Sequence, residues 1–215
     1  MLIDRYHEAV DSLLKTVRET QRENIVKAGE LVANAVENGG KIYLGHIVHG
    51  IEMDLIYRGG GPIFYTEYNP GETELKAGDV IFVSSVSGRT KSVVDLAWDC
   101  MQKGITVIAL TSMVYASKVD PVHESGKKLH EFVTLALDNC APAAEAMLEV
   151  EGLEAHFAAS SGIASDYIMW SLTSVCVEKM LRDGFTPGIL KSANFPGGND
   201  YNKTIIEPHY DEYGW

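Results

Sequence analysis

The sequence predicts an α/β protein, a three-layer α/β/α sandwich in which helices cover both faces of a parallel sheet. Short apolar runs alternate with helical stretches along most of its 215 residues. The runs from Val80 to Val83 and from Ile105 to Leu110 put apolar side chains on both faces, as central parallel strands do between two helical layers. That alternation is the pattern of a doubly wound sheet.

A helical extension comes first. Tyr6, Val10, Leu13, Leu14 and Val17, then Ile25, Ala28, Leu31, Val32, Ala35 and Val36, recur at helical spacing until Gly39 and Gly40 close the stretch. Residues 1–38 therefore form an N-terminal helical segment. Short β-type runs alternating with helical ones follow: KIYL, then IEMDLIYR, PIFYT, DVIFVSS, a helix from about Lys91 to Lys103, ITVIAL and FVTLAL. A second long helix, from about Ser161 to Leu181, is expected to pack beside the first. Residues 187–215 are rich in Gly, Pro, Asn and Tyr, which predicts an ordered but irregular tail whose aromatic residues dock on a second subunit. No linker, repeat or low-complexity tract divides the chain, so 1–215 is read as a single domain.

With 46% hydrophobic residues the chain can bury one ordinary core. Its formal charge of −12 argues against a nucleic-acid partner, which demands a basic footprint. The N-terminus MLIDRYHEAVDSLLKTV interleaves charges with apolar residues, unlike a signal peptide, and no run approaches membrane-spanning length. A cytoplasmic protein without a membrane partner is expected. Cys100, Cys140 and Cys176 are odd in number and lack a CxxC pair, which fits reduced, mostly buried thiols.

In open α/β sheets ligands sit beyond the carboxyl ends of strands. After DVIFV comes Ser84-Ser85-Val86-Ser87-Gly88-Arg89-Thr90, immediately before a helix. Its hydroxyls, a glycine for a tight turn and the partial positive charge of a helix N-terminus make a cradle for an anion. The GxxxxGK[ST] spacing of a nucleotide P-loop is missing. Helix capping by Ser87 or Thr90 is the plainer use of such residues, but the hydroxyls outnumber what one cap needs.

The SSxSGxT loop between a buried strand and a helix, followed by GITVIALTS, resembles the SIS (sugar isomerase) domain. HESGKKLHE (123–131), LDNCAPAAEA (137–146), LEVEGLEAHF (148–157) and SANFPGGNDYN (192–202) resemble a poorly characterised bacterial branch of short SIS proteins, so the likeness covers most of residues 20–205. It implies a five-stranded parallel sheet of flavodoxin-like type and a homodimer or homotetramer with sites near subunit boundaries. It also implies that the loop binds the anionic end of a sugar or sugar phosphate through Ser84, Ser85, Ser87, Gly88, Arg89 and Thr90, with His46, Ser161 and Asn194 as further substrate contacts. Two departures stand out. A serine usual after the first strand falls at Val48, and the connection from Arg58 to Asp79 is shorter than in the branch resembled.

Aldose–ketose isomerisation through an enediolate needs a carboxylate base, a group that exchanges oxygen protons and donors for the developing oxyanion, but no cofactor. In Met147–Gly152 the residues alternate, so an extended chain puts Glu149 and Glu151 on one face about 6.5 to 7 Å apart, close enough to perturb one another. Glu151 is the expected base, with Glu149 and Glu52 behind it. The resemblance implies a histidine for ring opening. His49, His123 and His156 are the candidates, and His49, beyond a strand's carboxyl end, is placed best. In GHIVHGIEMD (45–54), His46, His49 and Glu52 are three apart and would fan across about 120 degrees of a helix, a poor metal set. The zinc ligands of some SIS heptose-phosphate isomerases would fall here on Gly50 and Asp54, so no metal is expected. A sugar-phosphate sensor without a base, and a sugar-phosphate lyase or etherase using paired glutamates, are the alternative functions. No helix-turn-helix partner domain is evident, which favours an enzyme.

Overall fold

The computed structural model describes residues 1–45 and 48–215. The apolar spacing of the N-terminal segment is realised as one helix, α1 (Leu2–Glu37), whose buried stripe runs through Val17, Ile25, Ala28, Val32 and Val36. At 1.5 Å per residue its 36 residues reach about 54 Å. Gly40 follows so close to the sheet that a Cβ there would lie 2.2 Å from the Gly78 carbonyl oxygen.

Next come β1 (Ile42–Leu44), a 3₁₀ turn (Val48–Gly50), α2 (Glu52–Leu55), β2 (Tyr65–Glu67), β3 (Val80–Ser84), α3 (Lys91–Gln102), β4 (Thr106–Thr111), α4 (Met113–Ala116), a second 3₁₀ turn (Leu129–Glu131) and β5 (Leu135–Asp138). As expected, these five strands form one parallel sheet, and their order is β2-β1-β3-β4-β5. A small antiparallel hairpin of β6 (Ala146–Leu148) and β7 (Phe157–Ala159) leads into α5 (Ser161–Arg182). The chain ends in α6 (Gly198–Tyr201), a π turn (Asn202–Ile206) and α7 (Glu207–Tyr213).

The strand pleat divides the core in two. Ile42, Leu44, Val80, Phe82, Ile108, Leu110, Leu135 and Leu137 join α1 and α5 on one side. Tyr43, Ile81, Val83, Val107 and Ala109 meet Val93, Val94, Ala97 and Cys100 of α3 on the other. Burial on both faces explains why these strands are apolar at successive positions. The α3 layer is the thinner one: the short connection 68–79 carries no helix and supplies only Tyr68 and Leu75 to that core. No described helix is long and apolar enough to cross a membrane.

IEMDLIYR is α2 and its flanks, with Ile51 and Leu55, one helical turn apart, both buried. One expectation needs correction. The tail is irregular only as far as Gly197, whose φ of 77° starts the helical turns to Tyr213. Within the chain its Trp215 packs against Phe185 at 5.5 Å and His209 at 5.3 Å.

On α5, Asp166 has a buried Oδ1 with no partner among the described residues. Burial pushes its carboxyl up, opposed by Arg58. The folded state therefore holds this proton more tightly than the unfolded chain, and the group's contribution to stability is lost as pH rises from the ordinary carboxylate range through the raised value. Asp166→Asn is expected to flatten this part of the profile. Melting temperatures of both proteins from acid to neutral pH check it.

Candidate active site

The strand order reverses between β1 and β3, and the crevice beyond their carboxyl ends is the ligand position this topology favours. Three loops meet there. The loop after β3 is fixed from within and from behind: Gly88 N–H donates to the Ser85 carbonyl at 2.8 Å, while Ser112 N–H and the Thr111 hydroxyl donate to the Val86 carbonyl at 2.9 and 3.3 Å. Gly88 has φ 68°, a left-handed backbone that favours glycine, while a Cβ there would make ordinary contact with Thr111 Oγ1 at 3.4 Å.

Ser85 Oγ accepts the Thr90 N–H at 3.1 Å and lies 2.9 Å from Thr90 Oγ1. No side chain caps α3 from its N-cap position, Thr90. The first amides of this 12-residue helix are thus available to an anion. Ser84 instead donates to the Leu110 carbonyl at 3.1 Å and ties β3 to β4.

The second loop, from β1, delivers His49, and the third, after β5, delivers Glu145. Their side chains meet at 3.2 Å, His49 Nε2 to Glu145 Oε2. Ser161, the first residue of α5, donates its hydroxyl to the same Oε2 at 2.7 Å. The loop before Glu145 is anchored by buried polar groups. Asn139 N–H donates to the Thr111 carbonyl, its side-chain amide donates to Ser165 Oγ, and Ser112 Oγ donates to the Ala141 carbonyl. Asp138 Oδ1 accepts the N–H groups of Met113 and Cys140.

Three backbone outliers gather here: His49 (φ 59°), Ala144 (φ 62°) and Glu145 (φ 72°). Left-handed non-glycine residues are costly and concentrate where geometry serves function. Together His49, Ser84, Ser85, Val86, Ser87, Thr90, Tyr115 and Glu145 line a cavity of about 220 Å³. It holds a carboxylate–imidazole pair across from a hydroxyl cradle.

Other sequence candidates lie elsewhere. The strand carrying Glu149 and Glu151 ends at Leu148, so these residues do not share an extended face. Both are exposed on the turn of the β6–β7 hairpin, as is His156. Glu52 lines a neighbouring cavity of about 330 Å³ with Glu67, Tyr68, Asn69 and Ser92. His123 is a packing residue, paired with Ser125 at 2.7 Å, 3.5 Å from Asp95 and tilted against Trp98. Asn194 is exposed beside Phe195 and Pro196 in a separate depression. Gly88 and Arg89 belong to the cradle loop without lining the cavity. His46 lies outside the described residues.

Among the described residues no three His, Cys, Asp or Glu side chains converge as a metal set. Burial pushes all three thiols up, Cys176 to about 12, opposite to the shift that makes a nucleophile.

Sequence reasoning missed Glu145 and Tyr115. Each follows the carboxyl end of a sheet strand, β5 and β4 respectively, and that position was the available signal.

The family model for the SIS domain matches residues 5–67 and 64–112. A UPF0309 protein of Shouchella clausii is 30% identical, with 96% of each chain covered. Among solved structures, a phosphoheptose isomerase from Francisella tularensis superposes with a TM-score of 0.58 at 14% identity, covering 82% of this chain and 96% of that one. The Vibrio vulnificus NanR protein, complexed with ManNAc-6P, also gives 0.58, at 17% identity over 99% of this chain and 70% of that one. At these identities the structural likenesses establish a shared fold.

Proposed function

We propose, from the premise that this chain belongs to the SIS domain family and its UPF0309 branch, that it interconverts an aldose and a ketose bearing a phosphate or similar anionic group. The observation that carries this reading is the His49–Glu145 pair sharing one cavity with Ser85, Ser87 and Thr90.

The hydroxyls and the α3 N-terminus hold the anionic end, with Arg89 adding charge from the same loop. Glu145 takes the proton from the carbon beside the aldose carbonyl and returns it to the former carbonyl carbon. His49 moves the balancing proton between the two oxygens of the enediolate. Glu145 replaces Glu151 as the base in this scheme because it is the glutamate that lines the cavity. A homo-oligomer with the site near a subunit boundary accompanies the reading, and light scattering on the purified protein measures it.

Proton NMR in deuterium oxide against phosphorylated, other anionic and neutral sugars tests the reading. Deuterium beside the carbonyl, together with the partner sugar, is the expected result. A second reading, a sugar-phosphate sensor, draws on the likeness to NanR over 99% of this chain. It would give ligand-dependent melting shifts without exchange. Release of a lactate-like fragment would mark a lyase.

Ser85→Ala removes the hydroxyl that joins Thr90 to the cradle. It is expected to weaken anion binding about tenfold, the scale of one charge-assisted hydrogen bond. Titration with inorganic phosphate, followed by melting temperature, reads the change.

A further inference from the structure

We infer that Ser160 and Ser161 are positioning residues for Glu145, Ser160 holding its backbone and Ser161 selecting which carboxylate oxygen is free to act, and that neither touches the substrate. This rests on the proposed role of Glu145 and extends it to the residues that aim it.

The two serines grip Glu145 at opposite ends. Ser160 donates both its N–H, at 3.1 Å, and its hydroxyl, at 2.7 Å, to the Glu145 carbonyl oxygen. That double bond donation ties down a residue whose φ of 72° follows another left-handed residue, Ala144. Ser161 donates to Oε2 at the other end of the side chain. Both serines are fully buried and neither lines the cavity that His49 and Glu145 share.

With Ser161 and His49 both on Oε2, the remaining oxygen, Oε1, is the one without a hydrogen bond among the described residues. A base needs an unencumbered lone pair within reach of the carbon-bound proton. Ser161 therefore fixes the carboxylate's rotation, and through the shared Oε2 it also fixes the imidazole of His49. Its position as the first residue of the 22-residue helix α5 makes that anchor rigid.

Ser161→Ala and Ser161→Thr test the assignment, each first checked for native circular dichroism. Inorganic phosphate is the probe for the cradle, and the ring resonances of His49 in carbon–proton NMR are the probe for the dyad. In Ser161→Ala, phosphate affinity is expected to stay within twofold of wild type while the His49 resonances shift. Ser161→Thr, which keeps the hydroxyl, is expected to restore them. With a sugar substrate, kcat of the alanine variant should fall at least tenfold at unchanged KM, because a misaimed reacting group costs up to about 10² in rate.

A loss of phosphate affinity matching that of Ser85→Ala would make Ser161 a ligand contact and overturn the inference. Unmoved His49 resonances would overturn it too. Absence of deuterium exchange in the wild type would defeat the isomerase reading alone, since the NMR and phosphate readouts do not require turnover.

Discussion

Glu145→Gln is expected to lower isomerase turnover about 10²- to 10⁴-fold, the range for removing a positioned acid–base group. The substitution keeps the shape of the side chain and an acceptor oxygen for the Ser161 hydroxyl. KM should change little, because the hydroxyl cradle stays intact. The matched control is Glu151→Gln. Glu151 is exposed on the hairpin turn, and an exposed substitution of this kind should leave turnover within about twofold. Steady-state rates of the two variants on the sugar identified by deuterium exchange decide the matter. A collapse in Glu151→Gln with Glu145→Gln intact would return the base to the hairpin.

Phe82→Ala is expected to destabilise the fold by about 3–5 kcal/mol. Phe82 is fully buried in the middle of β3, in register with Leu44 on one side and Ile108 on the other, and the Tyr65 ring meets it edge-on at 6.4 Å. Truncation leaves a void where helix and sheet layers meet, and close-packed neighbours relax only partly into such a space. Chemical denaturation measures it, and a loss below about 1 kcal/mol would contradict this packing. Because β3 runs directly into the cradle loop, phosphate affinity is expected to fall together with stability.

The sheet was legible in the sequence because burial on both faces leaves a local mark: Val80–Val83 and Ile105–Leu110 have no place for a polar face. The cradle was legible for a related reason, since Ser85, Gly88 and Thr90 are neighbours in the chain and their pairing is local. Glu145 was not. Its meeting with His49 and Ser161 is made by two separate loops and the first residue of α5, and nothing within LDNCAPAAEA reveals that convergence.

The alternation at Glu149 and Glu151 misled because a period of two continues past Leu148, where the strand has already ended. IEMDLIYR is short enough for its apolar residues to fit either period, and contact of Ile51 and Leu55 with the main core decides for a helix. In the tail, Gly, Pro and Asn mark its start correctly but hide the helical turns beyond Gly197.

The pairing of α1 with α5 also bears on how the chain reaches this state. More than half of the sequence separates the two helices, so the apolar stripe of α1 is made early and waits for its cover until α5 has been synthesised. The parallel strands β1, β3, β4 and β5 can assemble in the meantime, leaving one face of the nascent sheet covered by α1 alone. Such long-range closure is slow and leaves intermediates prone to association. In pulse-labelled refolding, the amides of α1 should gain lasting protection in the same phase as those of α5. A C-terminally truncated chain ending before Ser161 should be captured by chaperones through the stripe that α5 would otherwise have sealed.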